Sequence, residues 1–164
     1  MSSEEQFIHL LNQHQKIIHK VSHMYAQAEA TREDLFQEIV LQAWKAFDSF
    51  KGHSKFSTWL YRVALNTSIT FYRKTKRTPE MILADSLPEK MEEADHTPED
   101  QVQALHRAIG ALSNIDKALV MLYLEDYSYQ EIGDILGISA NNVGVKMNRV
   151  KLKLKEGIHK YYQF

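Results

Sequence analysis

The stretch Tyr127–Glu156 reads YSYQEIGDILGISANNVGVKMNRVKLKLKE and has the pattern of a helix-turn-helix. Gly133 is small enough to let a second helix cross closely, and Gly137 breaks the first helix. Ser139 follows the turn and is suited to cap the N-terminus of the second helix. Apolar residues recur at helical spacing in the first helix and on the core side of the second: Ile132, Ile135, Leu136, Val143 and Met147.

The second helix continues into a basic segment. From Lys146 to Lys155 it carries basic residues and no acidic one: Lys146, Arg149, Lys151, Lys153 and Lys155. A basic helix that projects from a compact helical unit suits a DNA groove. The alternative is an ordinary helical hairpin with a solvated lysine face.

Composition limits the class of protein. The chain has 164 residues, of which 44% are hydrophobic, and this is enough for packed cores. It has no cysteine, which excludes disulfides and thiolate metal sites. The start, MSSEEQF, lacks the basic and apolar regions of a signal peptide. No apolar run approaches the roughly 18 residues that cross a bilayer. A cytoplasmic protein without membrane insertion is therefore predicted.

Charge is segregated along the chain, although the formal net charge is only −1. Ser49–Pro79 contains seven basic residues and no acidic one, whereas Glu80–Asp100 contains eight acidic residues and one lysine. Pro79 immediately precedes the acidic segment, Pro88 and Pro98 lie within it, and the segment has no apolar period. This composition predicts a linker at 78–99 between domains at 1–77 and 100–164. The predicted fold is all-α, with two small helical domains joined by an acidic, proline-containing linker.

The first domain shows two helical patterns. A 4-3-4-3-4 spacing of core-facing residues predicts an amphipathic first helix: Phe7, Leu11, His14, Ile18, Val21 and Tyr25. Thr31, with Asp34 three residues later, is a capping signature for a second helix that runs to about Phe47. Its predicted core stripe is Phe36, Val40, Ala43 and Phe47, and Leu35, Leu41 and Trp44 are rotated off that stripe. A helix with apolar residues on more than one side is either deeply buried or docks on a partner.

Aromatic and basic residues are interleaved between Phe50 and Arg77. Aromatic faces can stack on unpaired bases while cations follow the phosphates, and this is the chemistry of single-strand binding. Asn66 adds an amide that can pair with a base edge. Core packing explains most of these aromatic residues individually. Their combination with an acid-free stretch of 31 residues favours nucleic acid.

These residues together resemble a known family. Asp34–Arg77, which reads DLFQEIVLQAWKAFDSFKGHSKFSTWLYRVALNTSITFYRKTKR, resembles domain two of the sigma-70 family of bacterial transcription initiation factors. Asn114–Lys155 resembles domain four of that family. The block FSTWLYRVALN is far more specific than the helix-turn-helix, which many regulators share. The domain order and the linker resemble the small extracytoplasmic function subgroup.

The resemblance implies a non-enzymatic specificity subunit that needs no cofactor, metal ion or small-molecule substrate. Its partners would be core RNA polymerase, promoter DNA and, as is common in the subgroup, an anti-sigma factor. The motif positions that correspond to polymerase contacts are Asp34, Leu35, Gln37, Glu38, Leu41 and Trp44. The −10 element, captured as a single strand, would meet Lys51, His53, Ser54, Lys55, Trp59, Arg62, Asn66, Arg73 and Lys74. The −35 element, read in the duplex major groove, would meet Ser139, Asn141, Asn142, Lys146, Asn148, Arg149 and Lys151.

The chain departs from the family pattern at Gly144, where relatives usually have lysine or arginine. Glycine in a helix interior lowers helix stability by up to about 1 kcal/mol relative to alanine. Base reading is expected to shift to the neighbouring residues of the second helix, and the −35 sequence preference is therefore expected to differ from that of relatives.

Two other classes of protein are compatible with parts of the pattern. A free-standing, dimeric helix-turn-helix regulator would explain the C-terminal helix, but it leaves the aromatic and basic segment without a purpose. A metal-dependent enzyme would use His19 and His23, which are spaced i,i+4, with His9 and His14 upstream. No carboxylate lies between His19 and His23 in the HExxH arrangement, so this class is not favoured.

Overall fold

The protein is described by a computed structural model over residues 2–75 and 98–161. These two ranges contain helices and short connections without any strand, and none of their helices is long and apolar enough to cross a membrane. The chain divides into two compact units, residues 1–72 and 73–164. The predicted all-α fold with two helical domains is confirmed. Most of the predicted linker, at 78–97, lies outside the described residues.

The first unit consists of α1 (Ser3–Gln13), α2 (Gln15–Tyr25), α3 (Glu29–Ala46), a 3₁₀ turn (Phe47–Ser49) and α4 (Phe56–Thr75), whose last three residues extend past the boundary at residue 72. Its core is made of fully buried aliphatic side chains from α2, α3 and α4: Ile18, Val21, Leu35, Ile39, Leu60 and Leu65. Burial of such a side chain is worth about 1.5–3 kcal/mol, and packing of the amphipathic faces is therefore what holds these helices together.

The predicted continuous first helix is wrong, because the helix is interrupted at His14. This residue has φ −122° and ψ 16°, outside the helical region. Its ring Nδ1–H donates to the carbonyl oxygen of Leu10 at 2.8 Å, which in an uninterrupted helix would accept the His14 backbone N–H. The side chain therefore takes over a backbone hydrogen bond at the break between α1 and α2.

The predicted start of the second helix at Thr31 is also wrong. Helix α3 begins at Glu29, and the preceding Ala28 makes no side-chain cap hydrogen bond. The entry to α3 is held instead by the guanidinium of Arg32. Its Nε donates to the carbonyl oxygen of Ala26 at 3.0 Å, and its Nη2 donates to that of Gln27 at 2.7 Å. The guanidinium only donates, so it ties the preceding loop to α3 but does not accept from the free N–H groups at the helix start, as a capping hydroxyl would.

The second unit consists of α5 (Pro98–Gly110), α6 (Asn114–Leu124), α7 (Tyr129–Leu136) and α8 (Ala140–Tyr161). Helix α5 begins two residues inside the predicted linker. Proline suits the first helical position, where its missing N–H costs nothing. Ser113 caps α6, and Ser128 with Glu131 forms a capping box at the start of α7.

The predicted turn between α7 and α8 is confirmed. Gly137 is left-handed, with φ 77° and ψ 32°, and its N–H donates to the carbonyl oxygen of Gly133 at 2.8 Å. The hydroxyl of Ser139 accepts from the N–H of Asn142 at 3.1 Å, which is the predicted cap of the second helix. Helix α8 then continues through Gly144 without a break.

The packing of α8 differs between its two halves. In the N-terminal half, Val143 and Met147 are buried, as predicted. The C-terminal half packs on α5, where a Cβ added to Gly157 would lie 3.0 Å from the Cβ of Ala108. Because α5 covers the far half of the helix, the near half is the part that can enter a groove.

Candidate nucleic-acid and protein interfaces

The side of α3 turned away from the core carries an unusual combination of residues. We call it the α3 outer face, and it comprises Asp34, Gln37, Glu38, Leu41 and Trp44. The side chains of Leu41 and Trp44 are 44% and 42% exposed, respectively. Two large apolar side chains in water, flanked by carboxylates, are typical of a protein-docking surface with a polar rim.

Leu35 was predicted to share this face, and that prediction is wrong. Leu35 is fully buried together with Ile39 and Ala43, which follow it at intervals of four residues. The predicted core stripe is right at Ala43 and Phe47, which are buried, and wrong at Phe36 and Val40, which are only half-buried. Leu35 therefore packs in the core beneath the α3 outer face, where it cannot touch a partner.

An aromatic cluster connects α3 with the loop that follows it. Its members are Phe7, Trp44, Phe47, Phe50, Phe56 and Trp59. The ring of Trp59 lies 5.3 Å from that of Phe50, 5.4 Å from that of Phe56 and 6.2 Å from that of Phe47, measured between centroids. Aromatic pairs at these separations stabilise one another by about 0.5–1.5 kcal/mol each beyond area burial. Trp59 is thus held rigidly and is half-buried, with part of its ring left accessible.

The loop at 50–55 is anchored at both ends by this cluster. Phe50 and Phe56 meet edge to face, with centroids 5.7 Å apart. Gly52, between them, is left-handed with φ 75°, a conformation that favours glycine. The polar residues of the loop, Lys51, His53, Ser54 and Lys55, are all exposed. The loop therefore presents cationic and hydroxyl side chains to solvent from fixed end points.

Helix α4 continues this surface. Trp59, Arg62 and Asn66 follow one another at intervals of three and four residues and so share one face. Arg62 and Asn66 are exposed. Arg73 and Lys74 lie in the last turns of α4, and their side chains fall outside the described residues. The aromatic cluster places the loop beside Trp59, and the described part of the predicted −10 set therefore extends from the loop along this face of α4.

The N-terminal half of α8 holds the second set of predicted DNA contacts. Asn141, Asn142, Asn148 and Arg149 are exposed, and Lys146 is half-buried. Their side chains make no hydrogen bond, ion pair or ring contact with another described residue. The hydroxyl of Ser139 is exposed but is engaged as the cap of α8. Amide and guanidinium groups that are free and adjacent are the groups that read base edges in a major groove.

Two lysines farther along α8 are engaged with α6. The Nζ of Lys153 lies 3.0 Å from Oδ2 of Asp116, and the Nζ of Lys151 lies 4.9 Å from the ring centroid of Tyr123. The basic run of the sequence therefore separates into a free N-terminal part and a C-terminal part that also braces α6. Nothing in the local pattern signals this, because Asp116 is 37 residues away from Lys153 in the chain.

Gly144 is accommodated without strain. A Cβ at this position would lie 3.6 and 3.7 Å from Cε2 and Cδ2 of Tyr129, at ordinary van der Waals distance. The absence of a side chain at Gly144 is consequently not required by packing. Its effect is to leave the surface of α8 without a side chain at this position.

Comparisons with known proteins agree with the two-unit helical fold. Residues 10–78 match sigma-70 region 2, and residues 102–154 match sigma-70 region 4. The chain is 30% identical over 141 residues to the RNA polymerase sigma factor YlaC of Bacillus subtilis, a match that covers 79% of each protein. It is 33% identical over 128 residues to the extracytoplasmic function sigma factor SigM of the same organism, covering 75% of this chain and 77% of SigM.

A solved structure shares the fold. It is the sigma factor RpoE of Bartonella quintana, determined in complex with the anti-sigma factor NepR. The TM-score is 0.61 at 19% sequence identity, and the match covers 94% of this chain and 95% of that one.

Proposed function

Because this chain belongs to the extracytoplasmic function subgroup of the sigma-70 family, which directs RNA polymerase to promoters without enzymatic activity of its own, we propose that it reads two promoter elements. The first unit binds core RNA polymerase and captures the −10 element as a single strand. The second unit binds the −35 element as duplex DNA. Promoter melting then needs no catalytic residue, because capture of an unstacked base offsets an unpairing cost of a few kcal/mol.

Core polymerase docks on the α3 outer face in this proposal. Leu41 and Trp44 supply the apolar anchors, and Asp34, Gln37 and Glu38 supply the rim. Leu35 supports the face from below. Large apolar residues that lose their solvent exposure on binding dominate the energetics of such interfaces.

The −10 element is held by the loop at 50–55 and by α4. The loop is fixed by Phe50 and Phe56, so its exposed cations and hydroxyls are positioned before DNA arrives. Positioning in advance lowers the ordering cost of binding. Asn66 and the accessible part of Trp59 offer an amide and a ring for one flipped base.

The −35 element is read by the N-terminal half of α8. The observation that carries the proposal is that the four polar side chains there, Asn141, Asn142, Asn148 and Arg149, are exposed and free within the described part of the unit. Asparagine pairs with adenine and arginine with guanine in the major groove. An anti-sigma partner also belongs to the proposal, because the fold relative from Bartonella quintana is bound to one.

Run-off transcription tests the proposal. The full chain added to core polymerase and a library of promoter fragments should yield transcripts that start at a defined distance from two shared sequence elements. Core polymerase alone is the control and should start without such elements. Transcripts that are identical with and without the chain would contradict the proposal. Tight, polymerase-independent binding to duplex operators would instead favour a free-standing regulator.

Single substitutions are expected to impair the −10 contact and the −35 contact independently. Asn66→Ala should slow open-complex formation about tenfold without weakening duplex binding, because Asn66 meets DNA only after melting.

Arg149→Ala should weaken duplex binding about tenfold and reduce its dependence on salt. Permanganate reactivity of the melted strand measures open-complex formation. Filter binding of holoenzyme over a salt series measures duplex binding.

Lys153→Ala is the matched control for Arg149. It also removes one positive charge from α8, but that charge lies against Asp116. Duplex binding by this variant should stay within about twofold of the wild type. If the Lys153 and Arg149 variants lose binding equally, a diffuse positive field rather than groove reading explains the affinity.

A further inference from the structure

One apolar side chain lies in the middle of the polar surface of α8. Val145 is 44% exposed. Its neighbours on the helix surface, three and four residues away on either side, are Asn141, Asn142, Asn148 and Arg149. All four are exposed and have side chains that can form hydrogen bonds. Val145 is therefore an isolated apolar point enclosed by groups that can read base edges.

Val145 lies on the side of α8 that faces away from the core. The buried line of α8 runs through Val143, Met147 and Val150. Val145 precedes Met147 by two residues, or about 200° around the helix, and so points away from the packed side. It adds nothing to the core of the unit. Single exposed apolar residues are common on protein surfaces, and Leu152 on the same helix is 61% exposed. What distinguishes Val145 is its position in the half of α8 that α5 leaves uncovered.

We propose that Val145 reads the C5-methyl group of a thymine in the −35 duplex. The inference rests on the proposed function of α8. Thymine displays a methyl group in the major groove, and an aliphatic side chain gains by contact with it. Valine can neither donate nor accept a hydrogen bond, so it has no favourable interaction with the polar edges of the other bases. Its β-branched side chain keeps one rotamer in a helix, so the two methyl groups are placed before binding.

The ligand is accordingly a thymine flanked by bases that the neighbouring side chains bind. The asparagines pair with adenine, and Arg149 pairs with guanine. At Gly144, next to Val145, no long cation projects into the groove, so this part of the surface is less dependent on phosphate or guanine contacts. The methyl contact would make the −35 preference of this chain depend on thymine at one position.

Deoxyuridine tests the inference, since it lacks the methyl group and keeps every hydrogen-bonding group of thymine. Promoter fragments selected by wild-type holoenzyme are remade with deoxyuridine at each −35 thymine in turn, and holoenzyme binding is measured. At one position the wild type should lose about fourfold in affinity, the value of one buried methyl group. Val145→Ala should bind the thymine promoter about fourfold more weakly and should show no further loss with deoxyuridine at that position.

Leu152→Ala is the matched control, because it also shortens an exposed aliphatic side chain of α8. It should keep the full sensitivity to deoxyuridine. The inference is overturned if no single deoxyuridine weakens the wild type, or if Val145→Ala remains as sensitive as the wild type. In both cases transcription from the thymine promoter would still support the proposed function. Absence of promoter-directed initiation by the wild type would overturn both.

Discussion

Replacing Gly133 with alanine is expected to destabilise the second unit by about 3 kcal/mol. The added Cβ would lie 2.5 Å from the carbonyl oxygen of Ile138, and 3.4 Å from the backbone nitrogen of Ala140. Both are backbone atoms, one in the connection between α7 and α8 and one at the first residue of α8, so no side-chain rotation relieves the clash. Overpacking of this kind costs about 1–3 kcal/mol or more, and a domain this small has only a few kcal/mol of net stability. The higher helix propensity of alanine offsets less than about 1 kcal/mol.

Gly144→Ala is the matched control for this prediction, because it makes the same substitution in the next helix. Its Cβ would contact only the side chain of Tyr129, at 3.6 Å. It should therefore stabilise the unit by up to about 1 kcal/mol. Hydrogen exchange of peptides from α7 and α8, measured by mass spectrometry in the full chain, reports this unit separately from the first. Equal protection in the Gly133 variant and the wild type would contradict the packing argument.

The parts of the fold that sequence predicted correctly depend on short-range chemistry. Three local features acted within one or two helical turns. They are the left-handed conformation of Gly137, the cap formed by the Ser139 hydroxyl, and the helical spacing of the apolar residues. The motif FSTWLYRVALN carried the family assignment, which is confirmed. Within that motif Phe56 packs on Trp59, which also contacts Phe47 and Phe50 from the preceding segment.

The wrong predictions have long-range or ambiguous causes. The break at His14 depends on whether its ring Nδ1–H or its backbone N–H donates to the carbonyl oxygen of Leu10. The apolar spacing of the sequence continues unchanged through His14 and therefore does not indicate the break. The start of α3 depends on Arg32, which bonds to carbonyl groups five and six residues upstream. Helix α3 has apolar residues on several sides, so periodicity alone could not assign Leu35 to the correct face. The contacts of Lys151 and Lys153 with α6 could be identified only from the tertiary structure.

Leu41→Glu is expected to weaken binding to core polymerase about 100-fold while leaving the first unit folded. Leu41 is 44% exposed, so the fold loses little when it is replaced. Lys45 lies four residues later, where it can pair with the new glutamate and maintain the helix. At a docked interface, however, the carboxylate would lose its water, and removal of one apolar anchor alone costs about 2–4 kcal/mol. Binding of fluorescently labelled full chain to core polymerase, without DNA, measures the effect.

Leu35→Ala distinguishes docking from folding, because Leu35 lies in the same helix but is buried. It should lower the stability of the first unit by about 2–5 kcal/mol, as seen in loss of exchange protection in α3. Leu41→Glu should leave that protection unchanged, and raising its concentration should restore transcription. Trp44 is less suitable for this test, since it also packs on Phe7 at 5.2 Å. If Leu41→Glu binds core polymerase as tightly as the wild type, the exposed apolar residues of α3 serve another partner and polymerase docks elsewhere on the first unit.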